Sequence, residues 1–122
     1  MIKRLDTLDV VATNLADAGA LYQRNFGFSV KRVEGSDEAF IAIGDAHIRL
    51  RSGASAEAAL KATGEGLAAI WLEADDVEVV AAALDTAGLH HRPIRREGDR
   101  RVLEIDPSAA NLVPLFIFDR RR

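Results

Sequence analysis

The chain has 122 residues, 48% of them hydrophobic and 29% charged, which is the length of one domain and the apolar content of one that buries a core. It has no cysteine, so a disulfide framework, thiolate metal sites and cysteine nucleophiles are excluded, and the composition suits a reducing cytoplasm. Sixteen basic residues against nineteen acidic ones give a net charge of −3, the wrong balance for a protein that grips nucleic-acid phosphates.

The apolar runs Leu67 to Leu72 and Val79 to Leu84 are far shorter than the roughly 20 residues of a membrane span. Met1 to Asp6 lacks the apolar stretch of a secretion signal. A cytoplasmic domain with neither nucleic-acid nor membrane partner is expected. Thirteen of the sixteen cations are Arg, a bias that fits either genome composition or recognition of carboxylate and phosphate by a planar donor.

In chain order, Leu8 to Thr13 reads as a β-branched strand and Asn14 as a helix N-cap. Leu15, Ala18, Leu21, Tyr22 and Phe26 recur at helical spacing, and Gly27 ends that helix. Phe28 to Val33, Ala39 to Ile43 and Ala46 to Arg51 are predicted strands, the last two joined by a tight turn at Gly44-Asp45. Ser52 to Gly66 reads as a linker with a short helix near Ala56 to Ala62. The pattern then restarts: a strand over Leu67 to Ala74, an acidic N-cap at Asp75-Asp76, and a helix striped by Val77, Val80, Ala81 and Leu84 and closed by Gly88. Strands over His90 to Arg96, Arg100 to Ile105 and Leu112 to Phe118 complete it.

An offset of 62 residues places Asn14 on Asp76, Leu15 on Val77 and Thr7 on Ala69, so the second half repeats the first. Each half reads βαβββ, with a helix on one face of its sheet and the other face uncovered. The expected fold is α+β: two tandem βαβββ modules forming a curved eight-stranded mixed sheet around a cavity, helices outside. One domain is expected over residues 1–122, with module one at about 5–52, a linker at 53–66 and module two at about 67–119.

With Asn14-Leu15, Tyr22 and Phe26-Gly27-Phe28 in the first half, Ala74-Asp75-Asp76-Val77 and Ala87-Gly88 in the second, and Asp106-Pro107 near the end, the chain resembles the vicinal oxygen chelate superfamily. That group includes glyoxalase I, bleomycin-resistance proteins and extradiol dioxygenases. The resemblance implies four metal-ligand positions, usually His, Gln or Glu, which fall here on Thr7, Arg49, Ala69 and Pro114. None of these side chains suits a divalent metal, and Arg49 sets a fixed cation where the ion would be. The turn Ser108 to Asn111 is one residue longer than the family's, and a shifted register would offer Val113 or Leu115, which are no better. No metal and no cofactor are expected. Family members commonly dimerise, so a homodimer is.

Strand alternation supplies the residues facing the cavity. These are Thr7, Asp9 and Val11; His47, Arg49 and Arg51; Ala69, Trp71 and Glu73; and Leu112, Pro114 and Phe116. Thr7, Asp9, Arg49, Arg51, Trp71, Glu73, Pro114 and Phe116 are the candidate ligand-binding residues. Trp71, the one tryptophan, is a core filler or a stacking platform for a planar or cationic ligand. Arg49 either forms a salt bridge with Asp9 or Glu73 or clamps a ligand carboxylate. Asp9, His47 and Glu73 are the candidate acid–base groups, although a histidine at a hairpin edge such as His47 is more often simply solvated. The basic cluster Arg92, Arg95, Arg96, Arg100 and Arg101 reads as a ribbon with its charges outward, and Arg120 to Arg122 as a frayed tail. The expected function is metal-independent binding of a small, planar or anionic molecule, sequestering a drug or metabolite. The alternative is a superfamily lyase, isomerase or dioxygenase with a displaced metal site or metal-free acid–base catalysis.

Overall fold

The computed structural model describes residues 2–110 and 113–120. It is an α+β fold with eight strands ordered β2-β3-β4-β1-β5-β8-β7-β6 in one mixed sheet. The strands are β1 (Ile2–Val11), β2 (Val30–Arg32), β3 (Glu38–Ile43), β4 (Ala46–Arg51), β5 (Gly66–Ala74), β6 (Arg95–Glu97), β7 (Arg100–Ile105) and β8 (Leu115–Asp119). The helices are α1 (Leu15–Phe26), α2 (Glu57–Thr63) and α3 (Val77–Thr86). Two compact units make up the chain, Thr7–Ala68 and Met1–Asp6 with Ala69–Arg122. Among the described residues no helix is long and apolar enough to cross a membrane.

In the first unit, local chemistry sets the ends of α1. The Asn14 side chain accepts the Asp17 N–H at 2.9 Å, and Gly27 adopts φ 69°, which returns its N–H to the Gln23 carbonyl. The stripe of α1 packs Leu15 onto Ala39, Ile41, Ile48 and Leu50, with Leu8 and Val10 of β1 beside them. Gly19 permits the approach to β2, because a Cβ there would lie 3.3 Å from Val30 Cγ1. β1 pairs with β4 in parallel, and β4 with β3 antiparallel. Thr7, Asp9 and Val11 therefore share the sheet face turned away from α1 with His47, Arg49 and Arg51.

In the second unit α3 buries Val77, Val80 and Ala81 against Ala74, Leu103, Ile105 and Ile117. β5 pairs with β8 in parallel, and β7 with β8 and β6 antiparallel. Asp76 caps α3 by accepting the Glu78 N–H at 2.9 Å, the counterpart of Asn14 62 positions earlier.

Several element boundaries differ from the sequence expectation, each for a physical reason. β1 begins at Ile2 rather than Leu8, since Arg4 pairs within the sheet with Asp6 and Glu73. The strand expected over His90 to Arg96 is confined to β6 because Pro93 has no N–H to give a ladder; His91 makes only an isolated bridge to Ile105. β8 starts after Pro114 for the same reason, and Leu112 lies outside the described residues. The turn at Asp106 is closed by its own carboxylate, which accepts the N–H and hydroxyl of Ser108; those bonds hold the carboxyl below its ordinary pKa.

Candidate functional site

On the first unit's face away from α1, the charged groups are already matched. Both Asp9 carboxylate oxygens are taken by the Arg51 fork, at 2.8 and 2.7 Å. Arg49 pairs with Glu38 on β3. The expected Arg49–Asp9 or Arg49–Glu73 bridge is not what forms. Asp9 lies directly across from Arg49 but bonds its diagonal neighbour, and Glu38, opposite Arg51, in turn takes Arg49. The two crossed pairs leave this face close to electroneutral. His47 is not simply solvated at the hairpin edge: its Nε2 lies 3.0 Å from the Thr7 hydroxyl, and its ring meets the edge of Phe40 at 5.3 Å.

On the second unit's face away from α3, the aromatic rings gather. Trp71 of β5 lies opposite Phe116 of β8, and their rings stack at 4.4 Å between centroids and 11° between planes. Phe118 joins them, 6.3 Å from Trp71. Guanidinium groups cover this cluster: Arg100 lies 5.0 Å from the Trp71 centroid and 4.9 Å from Phe118, Arg120 5.3 Å from Phe118, and Arg95 5.9 Å from Phe116. Glu73, 9% exposed, accepts from Arg4 at 2.8 Å and faces Arg120 at 3.5 Å. Pro114 precedes β8, its carbonyl accepting the Ile70 N–H.

Phe118, Arg4, Arg95, Arg100 and Arg120 were not among the sequence candidates. The signal for Phe118 was present, two residues beyond Phe116 on the same strand face. The basic cluster is an outward ribbon only in part: β6 and β7 pair and Arg92 and Arg96 are exposed, but the other three are half-buried. Arg95 and Arg100 turn over the rings, whereas Arg101 lies on the opposite face against α3, bonded to Asp119 and Asp76. Arg120 is likewise held against Glu73 and Phe118, not frayed; Arg121 and Arg122 lie outside the described residues.

The family model of the Glyoxalase/Bleomycin resistance protein/Dioxygenase superfamily matches residues 4–108. The chain belongs to this superfamily. Solved structures with the same fold include a hypothetical protein from Bacillus halodurans, at 18% identity and TM-score 0.76, covering 98% of this chain and 95% of that one. A methylmalonyl-CoA epimerase from Streptomyces coelicolor matches at 20% identity and TM-score 0.73, covering 98% and 95%. The Mycobacterium tuberculosis methylmalonyl-CoA epimerase matches at 18% and 0.73, covering 99% and 90%. No curated protein matches the sequence.

The four positions at which the superfamily resemblance implies metal ligands do not fit a divalent ion here. The Thr7 hydroxyl is bonded to His47, and Arg49 carries a permanent positive charge engaged by Glu38. Ala69 offers only a methyl group and Pro114 no side-chain donor. Among the described residues no group of three or more His, Cys, Asp or Glu side chains is placed to hold a metal ion.

A cleft of about 500 Å³ runs along the flank of α1, between Val10, Ala18, Leu21 and Tyr22. Its polar lining serves the backbone: Asn14 caps α1, and Glu65 accepts both the N–H and the hydroxyl of Thr13, bonds that hold its carboxyl below the ordinary range. Arg24 is its one cationic lining residue, against the three guanidinium groups gathered at the aromatic face.

At the C-terminal end of α3, His91 Nδ1 lies 2.8 Å from the Arg92 carbonyl and Nε2 2.8 Å from Asp85 Oδ1. Both partners accept, so the arrangement favours the imidazolium, the form in which both nitrogens donate. The Arg92 carbonyl first, and then Asp85, raise its pKa above the ordinary 6.5. A raised folded-state pKa gives stability that is complete below about 6.5 and is lost as pH climbs through the raised value. Thermal melts across pH 5 to 9 should show wild type losing its advantage over His91→Gln on the alkaline side; a constant difference would contradict the imidazolium assignment.

Proposed function

We propose that this chain is a metal-independent small-molecule-binding protein of the superfamily, acting in the cytoplasm to sequester a drug or metabolite. Its ligand lies on the Trp71–Phe116 face of the second unit. The observation that carries this reading is the stacked aromatic pair with guanidinium groups over it, an apolar platform and oriented polar groups in one place. The four substituted ligand positions support the metal-independent part. Because Trp71 is the one tryptophan, its emission reports the face directly. Titration with a panel of planar compounds is expected to give saturable quenching that a chelator leaves unaltered. A flat response to the whole panel would defeat the reading.

The second reading is a superfamily enzyme, a lyase, isomerase or dioxygenase. The observation in its favour is the shared fold with methylmalonyl-CoA epimerases, one of them solved with methylmalonyl-CoA bound. Asp9, His47 and Glu73 are its acid–base candidates. The Asp9 lone pairs facing Arg51 and the Glu73 oxygen facing Arg4 would have to be released before either could take a proton from a substrate. Stoichiometric Zn, Ni, Mn or Fe in protein purified without chelator would decide for this reading over binding alone.

A further inference from the structure

The arginines of this chain divide by what they meet. Arg4, Arg51, Arg95 and Arg101 each reach a carboxylate oxygen within 3.2 Å. Arg100 and Arg120 are placed differently: Arg120 meets Glu73 at 3.5 Å and one ring, Phe118, whereas Arg100 lies over two rings. Arg100 meets Glu97 at 3.8 Å, beyond hydrogen-bond length, while Arg95 binds Glu97 at 2.7 Å. Besides that long ion pair, Arg100 lies over a pair of rings, Trp71 at 5.0 Å and Phe118 at 4.9 Å. A guanidinium carries its five N–H donors in its own plane, so contact with aromatic faces fixes the group without consuming the donors. Arg100 stands at the start of β7, just after the exposed turn Gly98-Asp99, with 30% of its side chain exposed. A solute can reach it there.

We propose that Arg100 is the anion-recognising residue of this face, and that the ligand is a planar aromatic monocarboxylate. Its ring lies on the Trp71–Phe116 surface and its carboxylate takes the in-plane donors of Arg100. This rests on the ligand-binding reading above. The surroundings set the charge. A cationic ring would meet Arg95, Arg100 and Arg120 at the same aromatic cluster and be repelled. A multiply charged anion would also meet Glu97, Glu73 and Asp99, the carboxylates that pair with Arg95 and Arg120. One negative charge on a flat ring satisfies both constraints, and the carboxylate matches the planar fork in shape.

The test uses acids and their neutral isosteres: benzoate and nicotinate against benzamide and nicotinamide, with acetate as the ringless acid, all followed by Trp71 emission. Each aromatic acid is expected to bind at least about tenfold more tightly than its amide, as the loss of a charge-assisted bidentate pair implies, and acetate weakly. Arg100→Gln should bring the acids down to the affinity of the amides. Arg100→Lys, which keeps the charge but not the planar fork, should recover only part of the preference. Lys61→Gln, which removes the same charge from α2, should leave it intact. Equal binding of acid and amide, an acid preference that survives Arg100→Gln or disappears in Lys61→Gln, or acetate binding as well as benzoate would each overturn the assignment to Arg100 and a planar acid. In all of those outcomes the amides or acids still quench and the ligand-binding reading stands. No response to any of the five compounds removes both.

Discussion

Asp119→Ala should lower the melting temperature by about 10 °C or more, the shift that corresponds to the loss of roughly 3–5 kcal/mol expected when a buried charged pair is broken from one side. Asp119 is the last residue of β8 and 1% exposed. One oxygen accepts the Val77 N–H at 2.8 Å, at the first turn of α3, and the Arg101 guanidinium grips both oxygens at 3.0 and 2.6 Å. A single carboxylate thus joins β8, β7 and the positive end of a helix dipole. Removing it leaves a buried N–H without its acceptor, and leaves Arg101 dependent on Asp76 at 3.1 Å and Glu78 at 3.5 Å. Asp119→Asn keeps an acceptor for Val77 but loses the charge, so it should fall between wild type and Asp119→Ala. Calorimetry on the three proteins checks the order. A drop of less than about 3 °C for the alanine variant would mean that Asp76 alone anchors α3.

That anchor also marks where sequence reading succeeds and where it stops. The N-caps at Asn14 and Asp76 and the stop at Gly27 are decided by contacts within a few residues, so the repeat and both long helices were legible. The face on which each strand residue lies was legible too, because alternation is a local rule. Partners across strands were not. Alternation puts Asp9, Arg49 and Arg51 on one face but cannot say that Glu38, on a third strand, draws Arg49 away and leaves Arg51 to Asp9. The first half of β1 was hidden for a similar reason. Lys3, Arg4 and Asp6 depress strand propensity, and what offsets this is Glu73, 69 positions further along the chain. The adjacent Arg100 and Arg101 show the difference in one dipeptide. Read as charge they make a solvated ribbon; read as alternating strand residues they serve opposite faces, one over the rings and one under α3.

Phe118→Ala should cost about 3–5 kcal/mol, the range for emptying a fully buried aromatic position. Phe118 is 0% exposed, paired with Glu73 on one side and Val102 on the other. It is also the ring that Arg100 and Arg120 both touch, so its loss acts on the site as well as the core. Trp71, 6.3 Å away, loses a neighbour, and its emission should move to longer wavelength as water approaches. Phe118→Leu separates the two roles. Leucine restores most of the apolar volume, so stability should return to within about 2 kcal/mol of wild type, but it has no π face to hold a guanidinium. If the ring positions Arg100, the leucine variant melts well above Phe118→Ala yet binds benzoate little better than benzamide. If the acid preference persists in Phe118→Leu, Trp71 alone orients the guanidinium, and Phe118 belongs to the core rather than to recognition.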